Sequence, residues 1–310
     1  MKILVTGASG FAGSHLIEAL QAAGHTDIIG TSYGDAGYLA KLLPESSIEK
    51  INLTNRDDVF ALLKKIQPDW IFHLASFAFV GESFSRGAEL LQNNIVLQQN
   101  MLDAMKAESP KARMLAIGSA EEYGYAGRDL DSVSEDAPFG PVNPYAVSKV
   151  AQDMLAYAYH VSLGLDIVRA RPFNHIGERQ TAAFAVPAFV QQILEVKQGK
   201  RDALELGNLE MIRDLTDVKD MMRAYILLME KGVSGEAYNI GSGKGVKMQE
   251  VVDTLMKLAG VQAEIKIDAS RMRPLDIPRM VADNKKVTEL GWKQEHNLSE
   301  TLERILNYNE

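Results

Sequence analysis

Short apolar runs alternate with amphipathic stretches along the first half of the chain. Residues 2–6 (KILVT) form a continuous apolar run, as expected of a strand buried on both faces. Over 11–23 the apolar residues recur at helical spacing, and Gly24 is placed to stop that helix. The pattern then predicts strands at 28–31 and 48–53, a helix over 56–66 and, past Pro68, a strand at 70–75 (WIFHLA). An amphipathic helix over about 90–105 leads to a strand at 112–118 (ARMLAIG), a helix over 144–160 and a strand at 165–171 (LDIVRAR). Strand and helix in regular alternation predict an α/β, Rossmann-type doubly wound parallel sheet with helices on both faces.

After about Pro172 the rhythm loosens. Helical patterns at 186–196, 218–231, 248–258 and 299–306 are separated by short strands and irregular loops. The stretch 271–278 (RMRPLDIP) carries two prolines, which forbid helix throughout it. The expected organisation is a nucleotide-binding domain of residues 1–173 plus about 209–241. A smaller mixed α/β substrate lobe takes 174–208 and 242–310. No internal repeat or low-complexity tract is visible, which argues against a solenoid or scaffold.

Composition narrows the class. Of 310 residues, 46% are hydrophobic and 24% charged, ordinary for a globular chain and unlike a disordered one. The 33 basic and 41 acidic side chains give a net charge of −8, the wrong sign for a nucleic-acid binder. No apolar run approaches the ~18–20 residues that span a bilayer. Cysteine is absent, which removes disulfides, thiol nucleophiles and Cys-zinc sites together, and no metal is expected. The opening MKILVTGASG enters a strand pattern at once, leaving no room for a secretory or transit peptide, so the expected location is cytoplasmic.

The first candidate chemistry is Gly7-x-x-Gly10-x-x-Gly13, in TGASGFAG. Glycines there permit a tight turn, close approach of backbone to a pyrophosphate, and close helix–strand contact. Such triplets occur by chance in ordinary turns; this one follows the first strand and opens the first helix, which is the context a dinucleotide site requires. The end of the second strand, where an acid would bond the ribose of NAD or a base the phosphate of NADP, reads Thr31-Ser32-Tyr33-Gly34-Asp35. It gives neither signal, so the cofactor is NAD(H) or NADP(H).

The second constellation is Tyr145-x-x-x-Lys149 in NPYAVSK, one helical face. An ammonium beside a phenol favours the phenolate, so Lys149 is expected to lower the Tyr145 pKa and let it exchange a proton with an alkoxide or ketone. Ser119 follows the strand ARMLAIG at its carboxyl end, where open α/β sheets bind ligands, and its hydroxyl suits polarising the same carbonyl. Three roles on three ordered elements point to carbonyl/alcohol redox chemistry. His73 and His175 read as structural hydrogen-bonders.

TGASGFAG, the HLA of 73–75, Ser119 and YAVSK resemble the extended short-chain dehydrogenase/reductases of the nucleotide-sugar branch, over essentially the whole chain. GSAEEYG (118–124), RPFNHIG (171–177), LGNLEMIRDLTDVKD (206–220) and a late RP-x-D with ELGW resemble two sister groups more narrowly. These are the GDP-mannose 4,6-dehydratases and, more closely, the GDP-6-deoxy-4-keto-mannose reductases that form GDP-rhamnose. The resemblance implies a triad of Ser119, Tyr145 and Lys149, with Glu121 at the position of the dehydratase base. It implies that Asn174, Val186 and Arg213, with Ser119 and Glu121, face the sugar nucleotide, and Arg273 and Asp276 its diphosphate and ribose. For Arg213 the alternative is an ion pair with Asp214 or Asp217. The implied cofactor path runs from Gly7, Gly10, Phe11, Ala12 and Gly13 past Ser32 and Tyr33 to Asn52 and Leu53. It continues by Leu74, Ala75 and Ser76 to Tyr145, Lys149 and Pro172. A homodimer through a four-helix bundle, from the helices at about 90–105 and 144–160, is implied too, with a tetramer as the alternative.

Two departures favour the reductase. Apolar Ala188 stands where the dehydratase pattern is basic, and Ala120 where dTDP-glucose dehydratases carry an acid. One departure weakens an NADPH assignment: Tyr33 stands where relatives often have arginine. The expected activity is NAD(P)H-dependent reduction of the C4 keto group of GDP-4-keto-6-deoxy-mannose. The alternatives are a 4,6-dehydratase using Glu121, a nucleotide-sugar epimerase, and a non-catalytic dinucleotide sensor.

Overall fold

A computed structural model describes residues 1–78, 83–272 and 275–309. Along the chain, β1 (Ile3–Thr6), β2 (Ile28–Ser32), β3 (Ile48–Lys50), β4 (Trp70–His73), β5 (Arg113–Ile117) and β6 (Asp166–Pro172) succeed one another. Three strands of a second lobe intervene: β7 (Asn174–Ile176), β8 (Ala203–Leu206) and β9 (Ile212–Asp217). Then β10 (Ala237–Ile240) returns to the first. The main sheet is all parallel, in the order β10-β6-β5-β4-β1-β2-β3. Its order reverses between β1 and β4, which leaves a crevice at their carboxyl ends.

Alternate residues of β1 serve opposite faces, as the pleat dictates. Ile3 and Val5 pack with α1 (Phe11–Ala22) through Leu16, Ile17 and Leu20, whereas Leu4 packs with the helices of the other face. The small helix α2 (Leu39–Leu42) follows β2, and Leu39 joins the first core. The opposite core takes α3 (Arg56–Ile66), α4 (Gly87–Glu108) and α5 (Pro144–Leu163), through Leu63, Met101 and Ala156. The elements match the periodicity closely. Gly24, at φ +88°, follows the first helix and donates its N–H to the Gln21 carbonyl; Gly164, at φ +69°, ends α5. Three strands are shorter than expected by two or more residues, β5 by one at each end. β3 stops at Lys50 and β4 at His73, because residues 51–53 and 74–75 leave the ladder to line the crevice.

The second lobe holds α6 (Ala185–Lys197), α8 (Met248–Ala259) and α10 (Leu298–Asn309) around one core that includes Ile193, Val252 and Ile305. The helix α7 (Val218–Lys231), preceding α8, belongs to the first lobe, packing Met221, Tyr225 and Leu228 beneath the main sheet. So does short α9 (Lys285–Glu289), through Val287. β11 (Gly245–Lys247), β12 (Glu264–Ile267) and β13 (Arg279–Met280) complete the strands. β9 pairs with β7, β11 and β13, so residues 212–217 lie with the small sheet rather than with the expected first domain. The reason is that, among the described residues, β9 is the strand of that sheet with partners on both sides. Phe173 alone separates β6 of one sheet from β7 of the other; it is buried and its N–H donates to the Ile240 carbonyl at 2.8 Å.

Beneath the turn that follows β5 lies a buried charge cluster. Asp153 of α5 pairs with Arg169 and, at 3.0 Å, with Arg171 of β6. Buried ions are costly when one partner is removed. Asp153→Ala, which strands two guanidinium groups, is expected to cost roughly 3–5 kcal/mol in urea unfolding. A loss below about 1 kcal/mol would show that the remaining carboxylates compensate.

Candidate active site

The crevice between β1 and β4 opens into a cleft of about 1400 Å³ that runs from the glycine-rich turn into the second lobe. Gly7 takes φ +67°, and a Cβ there would lie 2.9 Å from the Ala75 nitrogen. At Gly13 a Cβ would come within 2.2 Å of the Gly7 carbonyl oxygen. The turn is held by the Gly7 N–H on the Thr31 hydroxyl (3.2 Å) and the Gly10 N–H on the Gly7 carbonyl (3.0 Å). Gly10 caps α1 with no side chain, and the first turn carries no acid. The first N–H groups therefore meet the cleft with the positive end of the helix dipole, a donor set that fits a pyrophosphate.

Ser119 stands at the start of the 3-10 turn Ala120–Glu122, on the cleft wall. Its hydroxyl accepts the Glu121 N–H at 3.2 Å and shares the cleft wall with Tyr145. Tyr145 is 8% exposed. Burial raises its phenol above the ordinary range; the Ser119 hydroxyl opposes this, and the charges of Glu121 and Glu122 add to it. The expected lowering by Lys149 is thus overturned. Removal from water and two carboxylates decide the sign, while Lys149, 3% exposed, donates to the Ile117 carbonyl at 2.9 Å. Burial pulls the Lys149 ammonium down to about 8 against the pull of the Glu122 carboxylate.

Most of the other expected site residues line the same cleft. Phe11, Ala12, Tyr33, Asn52 and Leu53 border its dinucleotide end. Leu74, Ala75, Ser76 and Pro172 lie at its centre, and Asn174, Val186, Arg213 and Asp276 at its far end. Ser32 does not: the pleat that turns Thr31 and Tyr33 to the cleft turns Ser32 away, and its buried hydroxyl donates to the Gly34 carbonyl (3.3 Å). Arg213 donates to the carbonyls of Ile212 (2.9 Å) and Ile277 (2.8 Å). Its neighbours are engaged elsewhere, Asp214 by Ser242 and Gly243, and Asp217 by Thr301 and Arg304. Asp276 accepts from Asn208 at 3.1 Å, and Arg273 lies outside the described residues. His73 bonds the Thr6 hydroxyl (2.8 Å), and His175 stacks on Phe11 at 5.9 Å, its Nδ1 3.2 Å from the Phe173 carbonyl.

Residues 4–305 match the GDP-mannose 4,6 dehydratase family. The chain belongs to that family. Within the wider group of relatives, this family member is 34% identical to the GDP-6-deoxy-D-mannose reductase of Pseudomonas aeruginosa, over 99% of this chain and 96% of that protein. It is 31% identical to the GDP-6-deoxy-D-talose 4-dehydrogenase of Aggregatibacter actinomycetemcomitans, over 93% and 90%. Its fold superposes on the structure of RMD from Pseudomonas aeruginosa complexed with NADPH, with a TM-score of 0.86 at 32% identity over 99% of both chains.

Three features of this family member escaped sequence reasoning, two of them in the cleft lining. Asn143 is one; its place before Pro144 and the helix is an N-cap signal that would have found it. Residues 180–185 form a wall between β7 and α6 that no periodicity marks. Glu122 is known only by its complete burial, which no pattern in EEYG reveals. Gly13→Ala tests the cradle. The added methyl must displace the Gly7 carbonyl, so NADPH affinity in a fluorescence titration is expected to fall at least about tenfold, or roughly 1.4 kcal/mol. Undiminished affinity would remove the glycine turn from the dinucleotide site.

Proposed function

We propose that this enzyme reduces the C4 keto group of GDP-4-keto-6-deoxy-mannose to GDP-rhamnose at the expense of NAD(P)H. The observation that carries the reading is Tyr145: a buried phenol whose proton is held by desolvation, sharing with Ser119 the wall of a dinucleotide-shaped cleft. Bound NAD(P)H supplies the hydride that reaches C4. The chain supplies the rest. Ser119 orients the ketone oxygen, Tyr145 gives that oxygen its proton, and the Lys149 ammonium stabilises the phenolate left behind. A tyrosine kept protonated is suited to donating, which is the direction a reductase needs. Gly7, Gly10 and Gly13 with Phe11 and Ala12 would hold the dinucleotide, and Asn174, Arg213, Arg273 and Asp276 the sugar nucleotide. In this reading residues 1–173 with the 218–241 segment bind the cofactor, and the remainder binds substrate.

One observation favours a second reading. Glu121 lines the same cleft beside Ser119, so a carboxylate is available to take a C5 proton in a 4,6-dehydratase. The two are separated by the balance of reducing equivalents. A reductase oxidises one NAD(P)H per keto sugar, whereas a dehydratase converts GDP-mannose with no net consumption.

A homodimer fits this reading as well. Val147, Met154, Tyr157 and Val161 form one exposed apolar stripe along α5, at helical spacing, with Val161 61% exposed. A cytoplasmic location fits a reaction that consumes NAD(P)H; among the described residues no helix is long and apolar enough to cross a membrane.

Incubation of the purified protein with the keto sugar and NADPH or NADH is expected to give stoichiometric cofactor oxidation, and GDP-mannose alone no product. Conversion of GDP-mannose without cofactor loss would instead establish the dehydratase. Tyr145→Phe is expected to lower kcat by about 10²–10⁴ with NADPH affinity retained. Turnover should also fall as the pH rises through about 8, where Lys149 loses its charge. For the assembly, Val161→Asp is expected to convert a dimer to monomers in light scattering. A monomeric parent protein would remove the stripe from any interface.

A further inference from the structure

The turn that carries Ser119 and the helix that carries Tyr145 are separate pieces of chain, and one side chain joins them across the cleft wall. Asn143 precedes Pro144, which forces it into extended backbone, at φ −151° and ψ 160°. Its Oδ1 accepts the Ala146 N–H at 2.8 Å and so caps α5. Its Nδ2 donates to Glu121 Oε2 at 3.3 Å. Glu121 in turn gives its N–H to the Ser119 hydroxyl. With the backbone fixed by Pro144 and one end of the amide fixed by the cap, the direction of the other end is determined. Pro144 is itself held in place by the start of α4: a Cβ at Gly87 would lie 3.3 Å from its Cγ.

We propose that Asn143 is a positioning residue for the reaction: its amide fixes the Glu121 carboxylate, and through it Ser119, relative to the helix bearing Tyr145 and Lys149. This rests on the carbonyl-reducing reading of the site and deepens it. A cap alone asks only for an acceptor, which Ser, Thr or Asp provides equally. The amide adds a donor, and that donor faces a cleft carboxylate. The chain Ala146–Asn143–Glu121–Ser119 therefore sets the distance between the group that orients the ketone and the group that protonates it. Reactions of this kind are sensitive to misplacement on the ångström scale.

Asn143→Ser keeps the cap and removes the donor. Its melting temperature and NADPH affinity are expected to match the parent, with kcat for the keto sugar reduced about tenfold or more and KM within about twofold. Asn143→Ala, which loses the cap too, is expected to lose stability as well. Combined with Glu121→Gln, Asn143→Ser should add little further loss, because the two residues act as one unit. Full activity in Asn143→Ser, or losses that multiply in the double variant, would overturn the proposal. The link is also read without any substrate. In protein labelled with ¹⁵N-asparagine, the Asn143 side-chain amide signal, assigned by its absence in Asn143→Ser, is expected to shift in Glu121→Gln. An unmoved signal would refute the link whatever the enzyme reduces. A moved signal in a protein inert toward the keto sugar would refute the assigned substrate and leave the link standing.

Discussion

Everything in this molecule depends on the reversal of strand order between β1 and β4. In a parallel sheet each strand delivers its carboxyl end to the same edge, and helices leave that edge to one face or the other. Where the direction of winding changes, the two helices diverge and no backbone closes the gap. Gly7 after β1 and Ala75 after β4 face each other there, near enough that a methyl group on Gly7 would collide with the Ala75 nitrogen. The crevice is thus a consequence of topology, and the glycines keep it open down to the backbone. Ser119, after β5, and Pro172, at the end of β6, reach the same edge because their strands are next in order.

Much of this was legible in the sequence because the physics is local. Buried parallel strands read as apolar runs, and the amphipathic helices read at their own period, so α3 and α7 were bounded to the residue. Glycine, tyrosine, lysine and serine were legible by type and by place in the strand–helix order. What stayed hidden depends on contacts between distant segments. The placement of 212–217 in the small sheet follows from pairing with β7, β11 and β13, drawn from three other parts of the chain. Ser32 was misjudged because its face depends on where the strand's pleat begins. The sign of the Tyr145 shift required knowing how deeply α5 is buried and which carboxylates surround it.

The charges around the turn that carries Ser119 show how a polar cluster is held in an apolar interior. Glu122 is fully buried and receives the Ser119 N–H at 2.6 Å; burial and the Asp153 charge raise its pKa, and Arg171 opposes them. Arg171 also meets the Tyr123 hydroxyl at 2.9 Å, and that hydroxyl donates to Asn239 of β10. Glu122 Oε2 accepts no hydrogen bond among the described residues and lies 3.4 Å from the Arg171 Nε, yet the linked charges and hydrogen bonds fix the turn more narrowly than apolar packing would. They tie the turn to the far edge of the main sheet, so Ser119 is anchored on the side away from the cleft. Glu121, its neighbour, is left facing the cleft.

The junction at Phe173 carries a mechanical consequence. One residue lies between the last position of β6 and the first of β7, and it is held by the Ile240 carbonyl and set against the Tyr123 ring at 6.4 Å. Both contacts tie Phe173 to the first lobe, so the chain enters β7 from an anchored residue, and along this segment any change of angle between the lobes must be taken up by the torsions that follow it.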